Sequence, residues 1–155
     1  MEILIVDPIS LVNVPLQEWK ERENPQSADL IVIKTDEKEL YISKNILPGR
    51  FDFNDAQKAA AAFIPARSPK LDFRCPTRKE CIDIYDARFA GLDEAIELLG
   101  GEKISGHWYW TSEADPDPEY NSNNAFFFYG GYGRLGSIYK YTTNTVRPVS
   151  AFLNR

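Results

Sequence analysis

The sequence has two cysteines and one histidine in 155 residues, too few of either for several chemistries. Cys75 and Cys81 cannot staple a disulfide-rich scaffold, and they form neither C-x-x-C nor a histidine-paired spacing that would read as a zinc site. With His107 alone, no Ser-His-Asp or Cys-His constellation can be assembled. No catalytic residue, catalytic metal or organic cofactor is therefore expected. Positive charge is scarce as well: 18 Lys and Arg against 23 Asp and Glu give a net charge of −5, and the cations are scattered. That leaves no basic face for a nucleic-acid backbone or an anionic membrane. No stretch approaches the roughly 18 apolar residues that span a bilayer, so no membrane insertion is expected. MEILIVDP lacks both the basic region and the length of a signal peptide, so the sequence as written predicts a soluble product outside the usual export route.

What is present suffices for one domain that buries roughly 70% of its unfolded surface. EILIV (2–6) reads as a strand stopped by Asp7-Pro8, followed by a polar, helix-compatible connection, LQEWKERENPQ, that breaks at Pro25. ADLIVIKT (28–35) and ELYISKN (39–45) form a predicted hairpin, with Thr35-Asp36 opening its turn. The middle third is helical. Asn54 or Asp55 can cap the alanine-rich AQKAAAAF, whose bare face permits close packing. Thr77 with Glu80 forms a capping box that starts a second helix, and Ile82, Tyr85 and Phe89 share one face of it. Residues 92–99 extend that helix or form a short third one, stopped by Gly100-Gly101. In the last third, WYWTS, AFFFY, SIYKY and TVRPVSAF read as four short strands. Segregated helices and mainly antiparallel strands predict an α+β domain over 28–155, with 1–27 as an N-terminal extension.

GYGRLG (131–136) spells G-x-G-x-x-G directly after a predicted strand. A dinucleotide site also needs a following helix whose amides face the pyrophosphate, and SIYKYTTNT is β-rich instead. The motif therefore reads as the glycine-rich loop of a hairpin between 125–129 and 137–142.

FDFNDAQKAAAAF, FRCPTRKE, GHWYWTSEA, NNAFFFY and TVRPVSAF follow one another in the order and approximate spacing of the bacterial modules described as DUF1566-like, or the Fibrobacter major paralogous domain. Over roughly residues 28–154 the chain resembles those modules. Phe73 and Cys75 stand where the family usually has Trp and Leu, and Ala114 where more polar residues are common. The resemblance implies a C-type lectin-like fold, with two main helices, near 54–63 and 77–89, packed on mainly antiparallel, twisted sheets. It lies in the branch that includes formylglycine-generating enzymes. Those enzymes place their working cysteines late in the fold, and none follows Cys81 here, so their chemistry is not expected. The resemblance also makes Arg74 and Arg147 structural anchors, with Glu80 and Glu113 as candidate partners, and Trp110 a core residue.

Function is sought in the aromatic C-terminal third. Tyr120, Asn121, Asn123, Tyr129, Tyr132, Arg134, Tyr139 and Tyr141 have the composition of an antibody paratope: rigid amphipathic tyrosines, adaptable amides and a cation. They are the candidate ligand-binding residues of a non-catalytic display module for a protein or a glycan. The resemblance to retroelement-diversified proteins and phage receptor-binding tips points the same way; with no signal peptide visible, the sequence as written is expected to give a cytoplasmic or virion-associated product. The alternatives are an assembly piece that docks through residues 1–27, or a relative of the formylglycine-generating enzymes. The acidic loop with Glu113, Asp115, Asp117 and Glu119 offers oxygen ligands for calcium, but its prolines and lack of a coordination pattern favour a solvated run.

Overall fold

The computed structural model describes residues 1–23 and 28–154. Its first sheet gathers β1 (Glu2–Val6), β2 (Asn13–Pro15), β3 (Leu30–Lys34), β4 (Lys38–Ser43) and β8 (Val149–Leu153) in the order β2-β1-β3-β4-β8, every neighbouring pair antiparallel. β1 and β3 are covered on both faces, so their sequences are unbroken apolar runs rather than alternations. Ile3, Ile5, Ile31 and Ile33 face one core while Leu4, Val6, Leu30 and Val32 face another, closed by Phe73. The β3–β4 turn is held as expected: the Thr35 hydroxyl accepts the amides of Glu37 and Lys38.

The boundary expected at residue 28 is corrected here. β1 lies between β2 and β3, and the buried Trp19 of α1 (Leu16–Lys20) joins the main core, so the described part of the supposed extension belongs to the domain. Among the described residues of this segment, β1 already has a partner strand on each side. The break expected at Pro25 lies outside the described residues.

The second sheet holds β5 (Trp108–Ala114), β6 (Asn124–Tyr129) and β7 (Arg134–Tyr139) in that order, again antiparallel. The fourth strand read from the C-terminal third is β8, and it leaves this group for the first sheet. The architecture is thus α+β with two antiparallel sheets.

Between the sheets run α3 (Arg78–Ala87), a π turn (Arg88–Leu92) and α4 (Asp93–Leu98), whose Cys81, Ile84, Leu92 and Ile96 share one core with Ile31 and Ile42 of the first sheet and Tyr109 and Phe128 of the second. α3 starts at the Thr77–Glu80 capping box, as expected. α2 (Phe53–Ala61) is capped by Asp52, whose carboxylate accepts the Asp55 amide, rather than by Asn54 or Asp55. Its fully buried Ala56 and Ala60 pack near Trp110 and Ala125, the close approach that the alanines permit.

One face is reversed. Ile82, Tyr85 and Phe89 do not form the buried side of α3; Cys81, Ile84 and Ala87 do, and Ile82 and Phe89 are exposed. Two apolar stripes at helical spacing compete on this helix, and the small residues won because the helix is clamped between two sheets.

Polar anchors tie the layers. Arg74 grips Glu80 with two parallel hydrogen bonds of 2.6 and 2.8 Å, while Glu113 takes the Arg78 amide and guanidinium. Arg147, only 2% exposed, pairs with no carboxylate among the described residues; it donates to the carbonyls of Ser43, Lys44, Glu102 and Lys103 and to the Tyr109 hydroxyl.

Candidate functional site

The hairpin tip between β6 and β7 is built on bare backbone. Gly133 has φ +68, and an added Cβ would fall 2.6 Å from the Tyr85 ring of α3. At Gly131 and Gly136 the rings of Tyr129 and Phe127 occupy the space of a side chain. The glycines of GYGRLG therefore admit aromatic rings on both sides of the tip, and the phosphate reading has no structural counterpart, since β7 follows directly. Arg88 locks the tip to the π turn by donating to the Gly130 carbonyl at 2.6 Å while holding Asp93.

On one side of this tip stands an aromatic platform. Trp108, 45% exposed, stacks on Tyr129 with centroids 4.5 Å apart, and Tyr132, 78% exposed, meets the Tyr129 ring edge-on at 5.2 Å. Trp108 also lies 5.1 Å from Phe127, and exposed Arg134 is paired with Tyr129 in the ladder, so its side chain leaves the sheet on the same face. On the other side, Tyr85 packs edge-on to Phe89, which is 71% exposed.

The eight candidate residues do not form one surface. Tyr129, Tyr132 and Arg134 meet at the tip. Tyr120, Asn121, Asn123, Tyr139 and Tyr141 sit at the opposite end of β6 and β7, where Tyr139 pairs with Asn124 and its ring lies 5.0 Å from that of Tyr141. The length of β6 separates the two groups by roughly 17 Å at 3.4 Å per residue. The expectation that the tip and the preceding loop project together is corrected by this topology: the loop joins β6 at its start and the tip at its end. Trp108, Tyr85 and Phe89 were missed as site residues. Trp108 had a signal, since it opens a strand beside a residue that had to be buried, whereas the helix residues were absorbed into an apolar stripe.

The acidic loop is wired to itself. Asp115 accepts the Asp117 amide and the Ser137 hydroxyl, which hold its carboxyl below the usual range, and Asp117 caps the short turn Pro118–Tyr120 through the Glu119 amide. Asn121 and Ser122 then take left-handed conformations, φ 49 and 63. Among the described residues no three His, Cys, Asp or Glu side chains converge on one point.

The nucleophile candidates are withdrawn from solvent. Burial pushes the Cys75 thiol up to about 12, and burial likewise raises Cys81, so both are protonated core groups at neutral pH. His107 is half-buried beside Tyr109, and burial followed by the nearby Arg147 lowers its pKa, leaving a neutral imidazole.

A groove of about 600 Å³ lies elsewhere, between Ile9 and Leu11 of the β1–β2 loop and the Phe63–Leu71 segment. Its lining is mostly apolar, with Phe63, Phe73, aliphatic residues and prolines beside Arg67, Ser68 and Lys70, and includes no tip residue. Volume alone favours this groove; the convergence of exposed rings with a cation, residue types enriched at interface hot spots, favours the tip. No helix among the described residues is long and apolar enough to cross a membrane. No protein-family model matches the chain, and no curated protein matches it significantly.

Proposed function

We propose that the chain is a non-catalytic binding module of C-type lectin-like type that presents the β6–β7 tip to a protein or glycan. The observation that carries this reading is the platform of Trp108 and Tyr129 on adjacent strands, with Arg134 beside them and Tyr132 on the turn that joins β6 to β7. Aromatic rings of this kind offer large, rigid contact area at little entropic cost, and arginine adds directed hydrogen bonds. The C-type lectin-like assignment is supported by the order of helices and antiparallel strands and by the return of β8 to the first sheet. The absence of turnover is argued from the protonated, buried thiols and from an imidazole whose ring contact is an aromatic side chain.

The test is a glycan array together with a display screen of surface proteins, read with the wild type and with Trp108→Ala, Tyr132→Ala and Arg134→Ala. Each substitution should weaken the ligand found by about 30-fold, corresponding to roughly 2 kcal/mol. Tyr141→Ala, at the far end, should change binding less than twofold. A ligand whose affinity ignores all three tip substitutions would refute the assignment.

A further inference from the structure

The two sheets have four edges, and three are shortened or partly bridged. β2 is only three residues long and ends in Pro15. β8 is bridged on its outer side by Arg74 at Val149, and β5 by Thr145 at Tyr109 and by Pro76 at Ser112. The fourth edge, β7, has the sequence RLGSIY, with no proline, no bulge and one charge at its first position. Natural edges of this length are normally blunted by one of those devices, because an open ladder pairs with another chain. The Lys140 amide reaches back to the Asn123 carbonyl, so by the period-two alternation the amides and carbonyls of Leu135 and Ser137 point away from β6. No described residue hydrogen-bonds them.

We infer that β7 is a self-association edge: two copies pair their β7 strands antiparallel about a two-fold axis at Gly136, joining the two small sheets into one continuous sheet. The register follows from charge and geometry. Leu135 and Ser137 turn their backbone groups outward, so Leu135 must exchange two hydrogen bonds with Ser137 of the second copy, and the reverse. Arg134 then faces Ile138, and Tyr132 faces Lys140, which places a cation beside an exposed ring. A register centred on Ser137 would instead set Arg134 opposite Lys140, and like charges directly opposite destabilise a strand pair.

The same register accounts for apolar surface that a single copy leaves exposed. Tyr139 faces Gly133 of the second copy, the glycine on which the Tyr85 ring rests. Tyr139 and Tyr141, 50% and 65% exposed, thereby come beside the Tyr85–Phe89 pair of the other copy, whose Phe89 is 71% exposed. Each partner thus covers the end of the hairpin that the other leaves bare, and the two aromatic groups that lie at opposite ends of β7 in one chain become neighbours across the axis. The contact engages fewer residues than the roughly 20–30 a side of a standard interface, so the dimer is weak, with a dissociation constant in the range of roughly 10–500 μM. It does not depend on the ligand assignment.

Sedimentation velocity from roughly 1 μM to 1 mM tests it. The weight-average mass should rise from the single-chain 17.7 kDa towards twice that value, while Tyr139→Glu, an exposed change, should hold it at 17.7 kDa throughout with an unchanged melting temperature. Under mild oxidation the double variant Leu135→Cys, Ser137→Cys should cross-link into a covalent dimer, and neither single variant should, because residues two positions out of register exceed disulfide reach. A wild type that stays at 17.7 kDa across the range overturns the proposal. So does an oligomer that Tyr139→Glu leaves intact, and cross-linking by Ser137→Cys alone overturns the register.

Discussion

Replacing Arg147 isolates the energetics of a buried cation with no carboxylate. Its guanidinium joins three segments: the end of β4 through Ser43 and Lys44, the loop at Glu102 and Lys103, and β5 through Tyr109. In Arg147→Met, Lys44 keeps the Glu102 amide on its carbonyl and Lys103 keeps a long contact from the Tyr109 hydroxyl, so the carbonyls left short are those of Ser43 and Glu102. Each costs about 1–3 kcal/mol when buried and unpaired, and removing the desolvated charge returns part of that. The net expectation is a loss of about 3 kcal/mol, or roughly 6–12 °C in melting temperature for a chain of this size. Arg147→Lys keeps the charge but gathers its donors at one nitrogen, which cannot span Ser43 and Glu102 together, so it should lose about 1–2 kcal/mol. Urea unfolding gives the totals, and hydrogen exchange should show faster opening at 43–47 and 102–104 in both variants. If Arg147→Met is as stable as the wild type or more so, the desolvation of the cation outweighs its hydrogen bonds and the anchoring argument fails.

Trp110→Ala should cost about 3–5 kcal/mol, since the indole is fully buried, donates to the Phe51 carbonyl and meets Phe53 edge-on; a stable variant by urea titration would contradict its place in the core. Tyr132→Ala and Arg134→Ala should shift the melting temperature by less than about 1 °C, the usual consequence of exposed changes, and unfolding of either would move the tip into the core. Burial alone would raise the pKa of Glu80, but the hydrogen bonds from Arg74 and the Thr77 amide hold it below the usual carboxylate range. The unfolded chain therefore takes up that proton first, and stability should fall as pH drops below about 4.5, with a shallower slope in Glu80→Gln measured by denaturation against pH. Native-state alkylation of Cys75 and Cys81 should proceed only as fast as unfolding exposes them, and rapid labelling at neutral pH would contradict their burial.

The helix starts, the first hairpin and the apolar strands were legible because each rests on local chemistry: a Thr-x-x-Glu box, a Thr-Asp turn, an unbroken β-branched run. Three features were not. The partner strands of β1 are set by long-range pairing, so a four-residue apolar run could not announce that it lies inside a sheet. α3 carries two apolar stripes, and only the layers around it decide that Cys81, Ile84 and Ala87 go inward. The tip residues were named, but composition cannot tell which end of a strand a loop joins, so Tyr120 and Tyr139 were grouped with Tyr132 although β6 holds them apart.

β8 closes the first sheet against β4, with Leu40 opposite Ala151 and Ile42 opposite Val149. During synthesis, β1 to β4 emerge early, while their fifth member is translated only after both helical segments and the whole second sheet. For that interval the nascent chain holds β4 paired to β3 but open along its other edge, with Leu40 and Ile42 destined for the core, a template to which a neighbouring polypeptide adds. Folding speed is then limited by closing the loop from β4 to β8, a pairing of high contact order. A chaperone that shields β4 until residues 149–153 arrive should raise the yield of native protein more than one that acts on the C-terminal hairpin, whose strands are adjacent in sequence.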